Sequence, residues 1–432
     1  MGTPENLALD NERHWEQFCG NKDEKKKVLS GQAVETTSPP KSAPATQVTR
    51  PTDEPCSILA LVECFSDITD PRINRRRRHK LIDLIVISIC AVICNADGWA
   101  DIRTWAETHQ QWLKKFLELP GGLPSRDTLR RTISRIDPDA FQNAFLTWLK
   151  GLRKELGNVI AIDGKTLRGS KVGGKKPLHI VSAWASDSHL TLGQTAIDEK
   201  SNEITAIPRL LDALALSGAI VTIDAMGCQK AIASKIIERK GNYCLAVKGN
   251  QEKLFAELKA AFESAMSSDR PSKRLQEYEV SDTQKKPHGR YEKRVYYTMP
   301  VPKKIKDTGD WKRISSIGLT ITYRASSPDA WGDGEVRYFI MSFASDAERF
   351  GSAVRQHWGI ENSLHWVMDM TFREDESRIQ KDYGAENFSW LRRLAISLLK
   401  NNETRKGSIR NKRLRAGYDF EFLLEVLNAV AA

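Results

Sequence analysis

Two acids in this chain stand at the ends of apolar runs, Asp163 after "VIAI" and Asp224 after "AIVTI". Carboxylates at strand ends suit a hard cation such as Mg²⁺, which takes oxygen ligands, keeps several waters and completes its shell with substrate phosphate. Two such ions about 3.5–4 Å apart can activate an attacking oxygen and stabilise a leaving one in phosphodiester chemistry, and that geometry needs a third carboxylate. The densest source is "VRQHWGIENSLHWVMDMTFREDESR". There His357, Glu361 and His365 recur every four residues and so share one side of a helix, with Trp358 and Trp366 on an adjacent strip. Blander readings stand beside this one: a turn or helix cap for either Asp, and a buried helix with two satisfied histidines. A zinc site lacks both the HExxH order and an evident third ligand. The "GKT" at 164–166 is not a phosphate loop, because the glycine required five residues before Gly164 is Val159.

These acids need a sheet edge and a helix to bring them together. After residue 157, "VIAID", "HIVSAWASD" and "LTLGQTAI" read as strands, followed by a helical "AIPRLLDALAL", the strand "AIVTIDAMG", a helix "CQKAIASKIIERK" and the strand "YCLAVKG". The expected fold is α/β, a mixed sheet with an antiparallel opening meander, in which neighbouring strands can set Asp163 and Asp224 side by side where ligands tend to bind. Residues 157–271 make the first part of that core. Residues 272–343 are β-rich, with a basic loop "TQKKPHGR", and read as an inserted sheet; 344–400 are helical and carry the third acid. Residues 56–156 read as a small all-helical domain punctuated by Pro and Gly. The ends are polar. Residues 1–55 hold a Pro/Ser/Thr-rich run that buries too little surface to order itself, a disordered tail and linker. Residues 401–432 are expected as a basic tail with a short helix, "RKGSIRNKRLR" having six basic residues in eleven, a pattern that suits solvent or phosphate.

Charge points to the partner. Lys and Arg number 66 against 55 Asp and Glu, a net +11, which favours a polyanion and above all nucleic acid. Ser125 can cap a helix whose basic face of Arg126, Arg130, Arg131 and Arg135 resembles that of a groove-reading helix, the plain alternative being a solvated face. The seven cysteines are odd in number, and the one close pair, Cys90 and Cys94, lies in an apolar run without a metal-ligand partner. They read as reduced core residues of a cytoplasmic protein. The start of the chain is polar, unlike a signal peptide. The apolar run at 81–94 has 14 residues and contains Asp83, short of the roughly 20 a membrane helix needs, so it is expected as a buried helix.

The strings "AIDGKTLRGS", "TIDAMGCQK", "VKGNQ", the "HGR" before "YEKR", and above all "RQHWGIENSLHWVMDMTFREDESRI" resemble the H-repeat-associated, ISAs-type transposases of bacterial insertion sequences, with similarity from Ile58 to Lys400. The resemblance implies a ribonuclease-H-like core with a DDE triad, interrupted by a β-rich insertion before the last acid. Carried over to this chain, the triad is Asp163, Asp224 and Glu361, and the 137 positions between the last two leave room for the insertion. It further implies two Mg²⁺ ions, with Mn²⁺ as substitute, cleavage at inverted-repeat ends, attack of the freed 3′-hydroxyl on target DNA, a homodimer on paired ends, no membrane association, and a place at the nucleoid. The wider superfamily often carries Arg four positions before this Glu and Lys seven after it; here those positions are His357 and Met368, and the nearest arginine is Arg355. Expected DNA contacts are Lys165 and Arg168 past the first acid, Arg130 and Arg131, His288 and Arg290 in the "PHGR" turn, and Arg355, His357, Trp358 and His365. The tryptophans would stack on an unpaired base or pack in the core. Two rivals remain: a catalytically silent DNA-binding protein on the same fold, and a metal-dependent nuclease without strand transfer.

Overall fold

The computed structural model describes residues 56–428 apart from 151–157, 172–175, 198–201, 268–273, 283–290, 309 and 328–329. The expected tail at 1–55 and the turn with His288 and Arg290 therefore lie outside the described residues.

A helix apolar on every side has to be buried on every side. After α1 (Cys56–Ser66), α2 (Leu81–Ile93) is that helix: of its 13 residues only Ile82 is not buried. Its one acid, Asp83, is 2% exposed and accepts a hydrogen bond from the Leu119 amide at 3.1 Å. The helical segment continues through α3 (Trp99–Thr108), α4 (Gln110–Leu113), α5 (Arg126–Ile133) and α6 (Pro138–Lys150). Ser125 caps α5, its hydroxyl accepting from the Thr128 amide at 3.1 Å.

The sheet then begins. β1 (Val159–Thr166) pairs antiparallel with β2 (His179–Ala185), which pairs antiparallel with β3 (Leu190–Ile197). Helix α7 (Glu203–Ala213) leads to β4 (Ile220–Ile223), parallel to β1; α8 (Lys230–Glu238) leads to β5 (Asn242–Val247), parallel to β4; and α9 (Glu252–Met266) follows. β1 and β4 are buried on both faces, as strands flanked by crossover helices must be.

The β-rich segment, expected as an inserted sheet, is built onto the main sheet. β6 (Gln276–Asp282), β7 (Tyr291–Pro300), β8 (Ser316–Ala325) and β9 (Glu335–Met341) are antiparallel neighbours, and α10 (Lys303–Thr308) sits between β7 and β8 in the chain. β9 runs antiparallel beside β5, Cys244 opposite Met341, so one nine-stranded sheet results, ordered β3-β2-β1-β4-β5-β9-β8-β7-β6. The pairing satisfies the amides along β5 and leaves β3 and β6 as the sheet edges.

Helix α11 (Ala347–Gly359) lies across β1, β4, β5, β6 and β7 and so spans both halves of the sheet. Gly318 on β8 admits it: a Cβ there would fall 2.5 Å from Cζ of Phe350. A π-helical turn (Ile360–His365), α12 (Trp366–Met370) and the long α13 (Gly384–Asn401) follow. The last segment also departs from expectation. It folds into α14 (Ile409–Tyr418) and α15 (Phe420–Asn428), which pack on α13 and on the early helices. Lys412 and Arg413 are buried there, Arg413 donating to the Val92 carbonyl at 3.1 Å, the Thr371 carbonyl at 2.5 Å and Asp97 at 2.9 Å. Carbonyls and an acid from distant parts of the chain satisfy cations that in sequence look solvated. Helix α2 packs on α13 and α14, so the apolar core of the helical segment is continuous with that of the sheet layers. Among the described residues no helix is long and apolar enough to cross a membrane.

Candidate active site

β1 and β4 are adjacent and parallel, with Ile162 opposite Ile223, so the next residue on each, Asp163 and Asp224, emerges at the same sheet edge. Backbone amides hold one oxygen of each carboxylate. Asp163 Oδ1 accepts from the Gly164 amide at 2.9 Å, and Asp224 Oδ1 from the Met226 and Gly227 amides at 3.1 and 3.3 Å. The π turn brings the third acid. An α-helix advances a four-residue strip by about 40° per step; a turn closed i→i+5 winds more residues and counters that drift. Glu361 and His365 in this turn both face Asp163: His365 Nδ1 lies 3.2 Å from Glu361 Oε2 and 3.5 Å from Asp163 Oδ2.

Ligand atoms of Asp163, Glu361 and His365 all fall within 4.8 Å of one another, the one such group among the described residues. Asp224 borders the same cavity of ≈ 340 Å³, whose walls also include Thr222, Arg337, His357 and Trp358.

Electrostatics separate the three acids. Burial pushes Asp163 up to about 6, helped by the charges of Asp224 and Glu361 and opposed by His365 and the Gly164 amide. Burial also raises Asp224, with Glu203 adding to the effect and the amides of Gly227 and Met226 opposing it. Glu361 is held below its ordinary value by its hydrogen bond from His365. Because carboxylates only accept, His365 Nδ1 carries the proton it donates; its Nε2 is buried without a partner among the described residues. His357 is pushed down to about 4, mainly by burial, and its Nδ1 is 3.0 Å from Thr222 Oγ1, so it is neutral at physiological pH.

The other residues singled out in the sequence scatter. Lys165 is 8% exposed and its Nζ sits among Asp369 at 2.7 Å, Asp375 at 3.1 Å and Glu374 at 3.7 Å, so it is not the open cation expected of a phosphate contact. Arg168 is exposed and pairs with Asp375 at 3.4 Å. Arg130 is partly covered and pairs with Asp127, while Arg131 projects into solvent from the same helix. Arg355 and Trp366 are exposed; Trp358 lies under the Arg337 guanidinium at 4.9 Å from its ring centre. Of the other acids near Glu361, Asp369 and Asp375 pair with Lys165, and Glu376 pairs with Arg373. Glu374 is buried against Ser389, Arg392 and Arg393. Arg337 and Thr222 went unread in the sequence as members of the site. Asp369 was visible there as an alternative to Glu361 for the third acid, being the next step of the four-residue strip after Glu361 and His365; Arg337 had no signal, since its strand joins the core only through β5.

Comparison with known proteins places the chain in a family. Residues 62–149 match the family described as DDE_Tnp_1-associated, and 154–398 match the Transposase DDE domain. The H repeat-associated putative transposase YhhI of Escherichia coli K12 is 40% identical over 375 residues, covering 85% of this chain and 97% of its own length. The putative transposase YncI of Escherichia coli O157:H7 is 39% identical over 376 residues, covering 86% and 95%. A solved piggyBac transposase synaptic complex with hairpin DNA aligns over 88% of this chain and 82% of its own, at 14% identity and a TM-score of 0.42, a likeness too slight to inform the fold. Two family matches that between them span most of the chain, and relatives matched almost end to end, lead to one statement: this chain belongs to the DDE transposases, together with the H repeat-associated transposases.

Proposed function

We propose that the chain is an active DNA transposase whose chemistry is carried by Asp163, Asp224 and Glu361, on a ribonuclease-H-like core formed by β1 to β5. What supports the reading above all is the convergence of three acids, from two adjacent strands and a π turn, on one cavity. The donor set fits a hard cation: Asp163 and Glu361 bring carboxylate oxygens to within 4.8 Å of each other, with a His365 nitrogen in the same group. These three acids would hold two Mg²⁺ ions, for which Mn²⁺ substitutes. Ions so held supply a nucleophilic oxygen near neutral pH and charge stabilisation for the leaving oxygen. The chain's own groups do the rest. His365 donates to Glu361 and keeps that carboxylate turned toward Asp163. Neutral His357, anchored on Thr222, borders the cavity without adding charge to it, and Arg337 over Trp358 offers a cation and a ring beside the cavity for phosphate and base. Exposed Arg131, Arg168 and Arg355 supply phosphate contacts to duplex DNA, both the inverted-repeat ends and the target, with two copies of the chain on paired ends.

The test uses the full chain and the DNA flanking its gene. Purified protein with Mg²⁺ should nick the element ends and join pre-cut 3′-hydroxyl ends to a second duplex. Asp163→Asn, Asp224→Asn and Glu361→Gln should each lose about 100-fold or more of the cleavage rate while still shifting end DNA in a gel. Cleavage without joining would make the protein a nuclease; binding without cleavage would make it a silent DNA-binding protein.

A further inference from the structure

Lys165 and Asp163 are two apart on β1 and so share one face of the strand. Glu361, His365 and Asp369 are spaced by fours along the helical segment opposite. The two rows meet rung by rung: His365 Nδ1 lies 3.5 Å from Asp163 Oδ2, and Lys165 Nζ lies 2.7 Å from Asp369 Oδ1. The second rung is part of a network that runs from partly exposed Asp369 and Asp375 into buried Lys165 and Glu374. Lys165 also contacts Asp375 and Glu374, and Glu374, 1% exposed, accepts from Ser389 Oγ at 2.7 Å and lies 3.6 Å from the Arg393 guanidinium. Arg393 in turn donates to Ser182 Oγ at 3.0 Å, and Ser182 is the cross-strand partner of Asp163. The charges thus run from one side of Asp163, through the helical layer, and back to its neighbour on β2.

We propose that the Lys165–Asp369 pair is a positioning device, which fixes the helix bearing Glu361 against β1 at the separation that lets Glu361 and Asp163 ligate one cation. The inference rests on the reading of those acids as a cation site. It replaces the phosphate contact expected of Lys165, whose ammonium is already shared among three carboxylates. A hard divalent ion tolerates little displacement of its ligands; removing Lys165 leaves three carboxylates facing one another without their shared cation, and removing Asp369 cuts the tie between its helix and β1, so either change frees the helix to shift.

Mn²⁺ binding by full-length protein, read from the electron paramagnetic resonance of the free ion, tests this. Asp369→Asn and Lys165→Met should each weaken Mn²⁺ binding roughly 10-fold, the size typical of supporting residues around a metal. The double variant should be no weaker than the worse single, because the Lys165–Asp369 contact is already gone in each. Lys165→Arg should restore much of the loss, and Glu376→Gln, in the separate exposed pair with Arg373, should bind as the parent does. Thermal melts report folding separately, and should Lys165→Met not fold, Asp369→Asn decides alone, since it leaves Lys165 paired with Asp375 and Glu374. Parent-like Mn²⁺ affinity in folded Asp369→Asn, or a double variant equal to the sum of the singles, overturns the proposal. So does a Lys165→Met protein that loses DNA affinity but keeps Mn²⁺. If Asp163→Asn also binds Mn²⁺ like the parent, the cation site itself is what has failed.

Discussion

Burial makes Asp163 a liability to the fold, and the sign of its effect follows from its titration. Its folded pKa of about 6 lies above the ordinary 3.8, so ionisation is harder in the folded state. The folded protein therefore loses stability as pH rises from about 4 through about 6, and the loss persists above, amounting to about 3 kcal/mol. Asp163→Asn should be more stable than the parent at pH 8 and nearly equal to it at pH 4, as measured by chemical denaturation at both values. Mg²⁺ should raise the melting temperature of the parent at pH 8 and leave Asp163→Asn almost unmoved, because only a site in the folded state gains from the ion. The strand-end position of Asp163 and Asp224 was legible in the sequence through residue type and pattern, the choice of Glu361 came from the family resemblance, and the Ser125 cap was legible through its capping pattern. The burial of Lys165 was not, because its partner Asp375 is 210 positions away and a lysine after a strand-end acid reads equally well as a phosphate contact.

At the scale of elements, the orientation of Glu361 depends on how α11 seats on the sheet, and Gly318 is where the fit is closest. Its absent side chain is filled by the Phe350 ring. Gly318→Val should destabilise the protein by about 1–3 kcal/mol through overpacking and lower cleavage more than DNA binding, measured as melting temperature and single-turnover rate. A compensating Phe350→Ala in the same chain should recover part of the loss. Each strand of the β-rich segment was readable from alternation and turn residues, whereas its union with the main sheet was not. Local pattern sets that a stretch is a strand; the choice of β5 as partner for β9 comes from a pairing between Cys244 and Met341 that no window of sequence contains. The π turn was unreadable for a similar reason, since the four-residue spacing of His357, Glu361 and His365 suits an ordinary helix equally well.

For the whole molecule, the decisive feature is that α2 packs against α13 and α14. The expectation of an independent helical unit at 56–156 and a loose basic end at 401–432 came from composition, which reports polarity but not which distant carbonyls will satisfy Lys412 and Arg413. A fragment of residues 56–150 should show no cooperative melt by circular dichroism. Deleting 403–432 should do the same to the remainder, since Phe422, Leu423, Val426 and Leu427 are buried and each contributes about 1.5–3 kcal/mol, which together rivals the stability of a typical domain. The hydrogen bond from Cys94 Sγ to the Ala416 carbonyl spans 322 positions. At roughly 5–20 residues per second of synthesis, the apolar surface of α2 leaves the ribosome some tens of seconds before the helices that cover it exist. A nascent chain of this protein thus exposes that surface through most of its translation, and a nonsense or frameshift mutation just after residue 402 yields a polypeptide that carries Asp163, Asp224 and Glu361 without the helices that close the core around α2.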